Sequence, residues 1–166
     1  MENFINDIKN SLKAIDNGTI KSTKQWTVAV KKALIDVADK HGLLVNCINI
    51  GGQYKKNHIH YEWLYDIIMY TEKEDDILDE VHLVCECEWQ NNRGELENDF
   101  SKLLLARSKL RLMIYQVQNE KSHVEFINRF RKIIEESKSC FEGDVYLFAI
   151  YFHPDKEFRF EKYIKK

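Results

Sequence analysis

The sequence predicts an α/β protein, a three-layer α-β-α sandwich with a mixed central sheet. Three observations point there. Four segments carry apolar residues at helical spacing, short runs rich in β-branched and aromatic residues lie between them, and turn residues separate the two kinds. The core order reads α-β-β-β-α-β, with an additional helix and a C-terminal β-hairpin. A chain of 166 residues with 44% hydrophobic and 31% charged residues suits a single domain, 1–166, and argues against disorder. One proline and six glycines leave no room for a long flexible linker.

The elements follow in order. Phe4, Ile5, Ile8, Leu12 and Ile15 predict a first helix over 2–16, with Asn17-Gly18 as its stop. Thr23-Lys24-Gln25 opens a second helix, with Trp26, Val30, Ala33, Leu34 and Val37 as its stripe and Gly42 just past its end. Residues 43–50 read as a strand and 53–60 as a polar, basic loop. Strands over 61–71 and 79–89 follow, joined by the acidic Thr71-Glu72-Lys73-Glu74-Asp75-Asp76. A helix is expected over 95–108, with Leu96, Phe100, Leu103 and Leu104 inward. Residues 110–117 form a strand. Residues 121–138 form a helix, with Val124, Ile127, Phe130 and Ile134 inward. Residues 144–152 and 158–164 pair around His153-Pro154-Asp155-Lys156. A three-strand meander is antiparallel, and a helical crossover makes the next strand parallel to its predecessor.

Composition narrows the function classes. No apolar run approaches the ~20 residues that span a bilayer, and the acidic start of the chain does not resemble a secretory signal. The four cysteines, Cys47, Cys85, Cys87 and Cys140, include no CxxC pair, so no zinc site is expected. Cys85 and Cys87 share one strand face, an awkward geometry for a disulfide. All four are expected to be reduced and mostly buried, which suggests a cytoplasmic protein. The net charge of −2 is not the footprint of a protein that coats DNA, although a local basic patch can still bind phosphates.

The most telling residues are three acids in otherwise apolar strands. Asp66 lies in Tyr65-Asp66-Ile67-Ile68-Met69, and Glu86 and Glu88 lie in Val84-Cys85-Glu86-Cys87-Glu88-Trp89. Burying an unpaired charge is costly, and a divalent cation is the simplest way to offset that cost. Glu86 and Glu88 share a face by the strand period of two. A hairpin turn centred on Asp76 would set Asp66 opposite Glu86, with Cβ atoms about 4.5–5.5 Å apart. Two bare carboxylates repel at that distance, and Mg²⁺ or Mn²⁺ between them would remove the conflict.

These residues and this element order resemble the PD-(D/E)XK nuclease superfamily, in a variant form. The resemblance covers roughly residues 22–117. In that family an Asp on the second core strand and a (D/E)-x-K on the third form the site. Asp66 would match the first and Glu86-Cys87-Glu88 the second, with Glu88 where the Lys is expected. Other members carry the Lys on the following helix, and Lys102 in Asp99-Phe100-Ser101-Lys102 would match it. No Pro precedes Asp66, and no Lys follows Glu86 by two.

The resemblance implies a restriction-endonuclease-like domain that hydrolyses nucleic acid, DNA in the first instance. Asp66 and Glu86 would ligate Mg²⁺ or Mn²⁺, with the Cys87 carbonyl as a third oxygen. Glu88 would orient or deprotonate the attacking water. Lys102 would stabilise the developing charge, or Arg107 in its place. The inner stripe of the 95–108 helix puts Lys102 toward the outer side and Arg107 on the apolar stripe.

Lys55, Lys56, His58 and His60 form a basic loop suited to phosphates, joined by Arg93, Lys109 and Arg111. Glu62 reads as an exposed acid at a strand end, and His58-Ile59-His60 as a loop histidine pair. The competing expectation is a nuclease-fold scaffold without catalysis that binds nucleic acid or protein. The aromatic C-terminal hairpin would support a homodimer if its face were exposed.

Overall fold

A computed structural model describes residues 1–15, 18, 20–47, 58–59, 64–90 and 92–166, with only the backbone for His58 and Ile59. Over the described residues the chain is α/β, with a mixed sheet and four α-helices, the element set of a three-layer sandwich. It divides into two compact units, Met1–Leu83 and Val84–Lys166. The division falls inside one strand.

The first unit starts with α1 (Glu2–Lys13) and α2 (Thr23–Lys40). Phe4, Ile5, Ile8 and Leu12 are buried, the spacing that puts one face of a helix inward. Ser11 donates to the Ala33 carbonyl at 2.8 Å, and Asp7 accepts from Lys40 at 2.7 Å and His41 at 2.8 Å, which fastens α1 to α2. Ser22 caps α2 by accepting from the Gln25 amide, while the Gln25 side chain accepts from the Lys21 amide. At the other end the Leu43 amide reaches the Ala38 carbonyl and Gly42 reaches Asp39. This closure needs a left-handed residue, and Gly42 supplies it at φ +66°.

Strand β1 (Leu44–Asn46) pairs antiparallel with β3 (Ile67–Glu72) and parallel with β2 (His58–Ile59). Strand β4 (Leu78–Glu88) begins in this unit, in the order β2-β1-β3-β4. Ile67 through Tyr70 are all buried, so β3 is covered on both faces, which explains its continuous apolar run.

The second unit holds the end of β4, then α3 (Arg93–Leu104), β5 (Leu110–Val117), α4 (Glu120–Glu136), β6 (Val145–Phe152) and β7 (Glu157–Ile164). The strand order here is β4-β5-β6-β7. β5 and β6 are parallel through the α4 crossover, and β6 and β7 form an antiparallel hairpin around the tetrapeptide that the sequence singled out. Asn92 caps α3 and Asn119 caps α4. Phe100, Phe130 and Phe148 form the centre of the core, with Phe130 and Phe148 stacked at 5.4 Å.

Several expectations are corrected. The first helix ends at Lys13, and Asn17 lies outside the described residues. Of the expected first strand, Leu44–Asn46 is strand and residues 48–50 lie outside the described residues, while part of the expected basic loop forms the extra strand β2. Asp66 lies in a bend just before β3 and not within it. The β3–β4 turn is closed by the Lys73 amide on the Ile77 carbonyl, so it centres on Asp75. Asp75 and Asp76, both at positive φ, make the reversal.

The helix α3 stops at Leu104, which leaves Arg107 in the connection to β5. Val124 is exposed, and His123 takes the inward place. Tyr146, Phe148, Tyr151, Phe152 and Phe158 of the terminal hairpin are buried in the second unit, so that face gives no ground for a homodimer. None of the four cysteines is in a disulfide, and Cys85 and Cys87 share a face with their sulfurs 3.9 Å apart. No described helix is long and apolar enough to cross a membrane.

Candidate functional site

In the first unit Asp66 faces a lysine that sequence reasoning missed. The Lys31 Nζ lies 3.0 Å from Asp66 Oδ1. Lys31 is 2% exposed and sits on α2 among Val30, Ala33, Leu34 and Ile35, all buried. Asp66 keeps 22% of its side chain exposed. The buried Cys47 thiol is pushed up by burial, with the Lys31 charge opposing and the Asp66 charge reinforcing the shift. The signal for Lys31 was present: buried residues flank it at Val30 and four residues on at Ile35, an arc wider than the stripe first drawn.

In the second unit the buried acid is Glu86. It is 2% exposed, on a β4 segment where Leu83, Val84 and Cys85 are also buried. Lys102 reaches it from α3, with Nζ 3.3 Å from Oε1 and 3.4 Å from Oε2. The same amine lies 2.8 Å from Asp99 Oδ1. Lys102 is exposed, as its helical phase predicts, but its length lets the charged end reach the strand acid. Burial opposes its charge, yet the Asp99 hydrogen bond and the Glu86 charge prevail and raise its pKa.

Glu88 lies two residues beyond Glu86 and is half-buried. Its Oε1 accepts from the Gln90 amide at 2.5 Å. Burial, then the negative charges of Asp99 and Glu95, outweigh that bond and raise its carboxyl above the ordinary range. Asp99 was also missed. Its signal is the spacing to Lys102, three residues apart on one helix, which brings the two side chains together.

The expected phosphate contacts divide. Lys55, Lys56, His60 and Glu62 lie outside the described residues, as does the side chain of His58. Arg93 is exposed but turned onto Glu97 at 2.7 Å, and Arg129 holds the same carboxylate. Arg111 is buried and committed to the Ala106 and Ser108 carbonyls and to Asp144. Arg107 is exposed and lines a cavity of about 540 Å³ together with Ser108, Arg111, Ser139 and Asp144. It lies in the connection after the helix and not on the helix stripe.

The chemistry available is that of hard oxygen donors and a helix cation. Asp66 and Glu86 are carboxylates of the type that Mg²⁺ takes singly or in pairs while it keeps its waters. Among the described residues no three His, Cys, Asp or Glu side chains form a complete cation cage. Comparison with protein-family models, curated proteins and solved structures gives no match.

Proposed function

We propose that this chain is a metal-dependent nuclease that hydrolyses phosphodiester bonds in nucleic acid, DNA in the first instance. The observation that carries the reading is the approach of the Lys102 amine to the buried Glu86 carboxylate, within 3.4 Å. The family resemblance requires a lysine at the strand acid. Here the strand offers Glu88 in its place, and the following helix supplies the amine.

By the resemblance, Asp66 and Glu86 are each proposed as a carboxylate that binds a divalent cation. A bound Mg²⁺ or Mn²⁺ would polarise a scissile phosphate and acidify a water. Glu88, with its carboxyl raised, is suited to accept a proton from an attacking water. Lys102 supplies fixed positive charge for the oxygens of the transition state. Asp99 holds the Lys102 amine on the strand side of α3. Arg107 is the exposed cation best placed on its own loop to meet a substrate phosphate.

The test is cleavage of plasmid and of single-stranded, duplex and branched oligonucleotides, with and without Mg²⁺ or Mn²⁺. Wild-type protein is compared with Asp66→Asn, Glu86→Gln and Lys102→Met, each checked for folding by its melting curve. Cation-dependent cutting that falls about 100-fold or more in every variant is expected. Cutting that survives Glu86→Gln, or that needs no cation, overturns the reading. Binding without cutting, indifferent to cations, is what a nuclease-fold scaffold would give.

A further inference from the structure

We infer that Lys31 is the resident counter-ion of Asp66, a positioning residue that holds this carboxylate and sets a ceiling on its affinity for a divalent cation. The inference rests on the nuclease reading for the cation, and on the first unit alone for its geometry.

A lysine with 2% exposure has given up nearly all of its water. That cost is tolerated only where a paired and well-placed acid offsets it. Asp66 is such an acid, with Oδ1 at 3.0 Å. The pairing is asymmetric, because Asp66 keeps about a fifth of its side chain open to solvent while Lys31 is sealed. A ligand can therefore reach Asp66 but cannot displace Lys31 into water.

Burial also excludes the other role open to a lysine in a nuclease, direct contact with a substrate phosphate. What remains is electrostatic. A fixed positive charge against Asp66 orients the carboxylate before any cation arrives, and repels a cation once it binds. Two like charges held a few ångströms apart inside a protein interact far more strongly than in water.

The test uses Mn²⁺ as probe, titrated into the full chain and followed by calorimetry and by the spin-resonance signal of the free ion. Wild type is compared with Lys31→Met, which keeps the length and removes the charge, with Lys31→Arg, and with Asp66→Asn. Lys31→Gln replaces Lys31→Met should the latter not fold. The charge-removing variant should bind Mn²⁺ about ten-fold or more tightly than wild type, and Lys31→Arg should not. Asp66→Asn should weaken binding with or without Lys31. At saturating cation the charge-removing variant should also lose kcat with KM little changed, because Asp66 is no longer held.

A merely structural lysine would leave the affinity unchanged or lower it, and either result overturns the inference while the nuclease reading stands. If neither wild type nor any variant binds Mn²⁺, the metal reading itself fails and the inference falls with it. Binding seen only after the charge is removed would support the inference in its strongest form.

Discussion

Each unit sets one helix lysine against one acid, and the two pairs bury opposite partners. In the first, Lys31 is sealed and Asp66 is partly open. In the second, Glu86 is sealed and Lys102 is 44% exposed. The difference decides which member each pair can lose. Removing the open partner strands a buried charge, whereas removing the buried partner leaves a group that water can solvate. The two lysines also suit different work. Lys102 has a solvent-side stem and can adjust to a substrate, but Lys31 can act only through Asp66.

The largest effect is expected where the open acid is removed. Asp66→Ala should cost about 3–5 kcal/mol in urea unfolding, because it removes the carboxylate 3.0 Å from a buried ammonium. Lys31→Met should cost clearly less. The reverse order would break the comparison at its first member.

The second pair sharpens it with the opposite polarity. Lys102→Met should cost about 1–3 kcal/mol by leaving Glu86 without its amine. Glu86→Leu, which replaces the buried acid by an apolar group of similar volume, should fall within about 1 kcal/mol of wild type or exceed it. Activity should vanish in both. A protein made more stable and inactive by one substitution would mark Glu86 as kept for chemistry and not for folding.

The smallest effect is a control at a carboxylate that belongs to neither pair, Glu97 on α3. The Glu97 carboxyl is held below its ordinary value of 4.5 by Arg129 and then Arg93. The folded chain thus binds that proton less tightly than the unfolded chain. The stabilisation is present above pH 4.5 and is lost as pH falls through 4.5 toward the lowered value. Glu97→Gln should reduce stability by less than about 1 kcal/mol at neutral pH, since its arginine partners are largely exposed. Melts at successively lower pH should show the two proteins converge. A gap that widens in acid would contradict the assignment.

The legible parts of the fold were those with strong local signals. The stripe of α1, the stop at Gly42 and the terminal hairpin could all be read from spacing and turn residues. Glu86 was legible too, because an acid within a run of Leu83, Val84 and Cys85 has no cheap local explanation. Strand ends were less legible. Asp66 read as strand because Ile67 through Tyr70 continue the apolar run, and nothing in the composition marks where sheet pairing starts.

The sequence by itself determined the α/β class, most of the helix faces and the placing of carboxylates beside apolar strands. These follow from periodicity and from the cost of burying charge, both of which act over a few residues. Only the tertiary structure decided which cations those carboxylates meet. Lys31 is one position within a helix until packing seals it against Asp66. Lys102 points outward by its phase until its flexible stem carries the amine back to Glu86. A side chain of that length can serve either solvent or site. The choice belongs to contacts between residues distant along the chain, which no local pattern encodes.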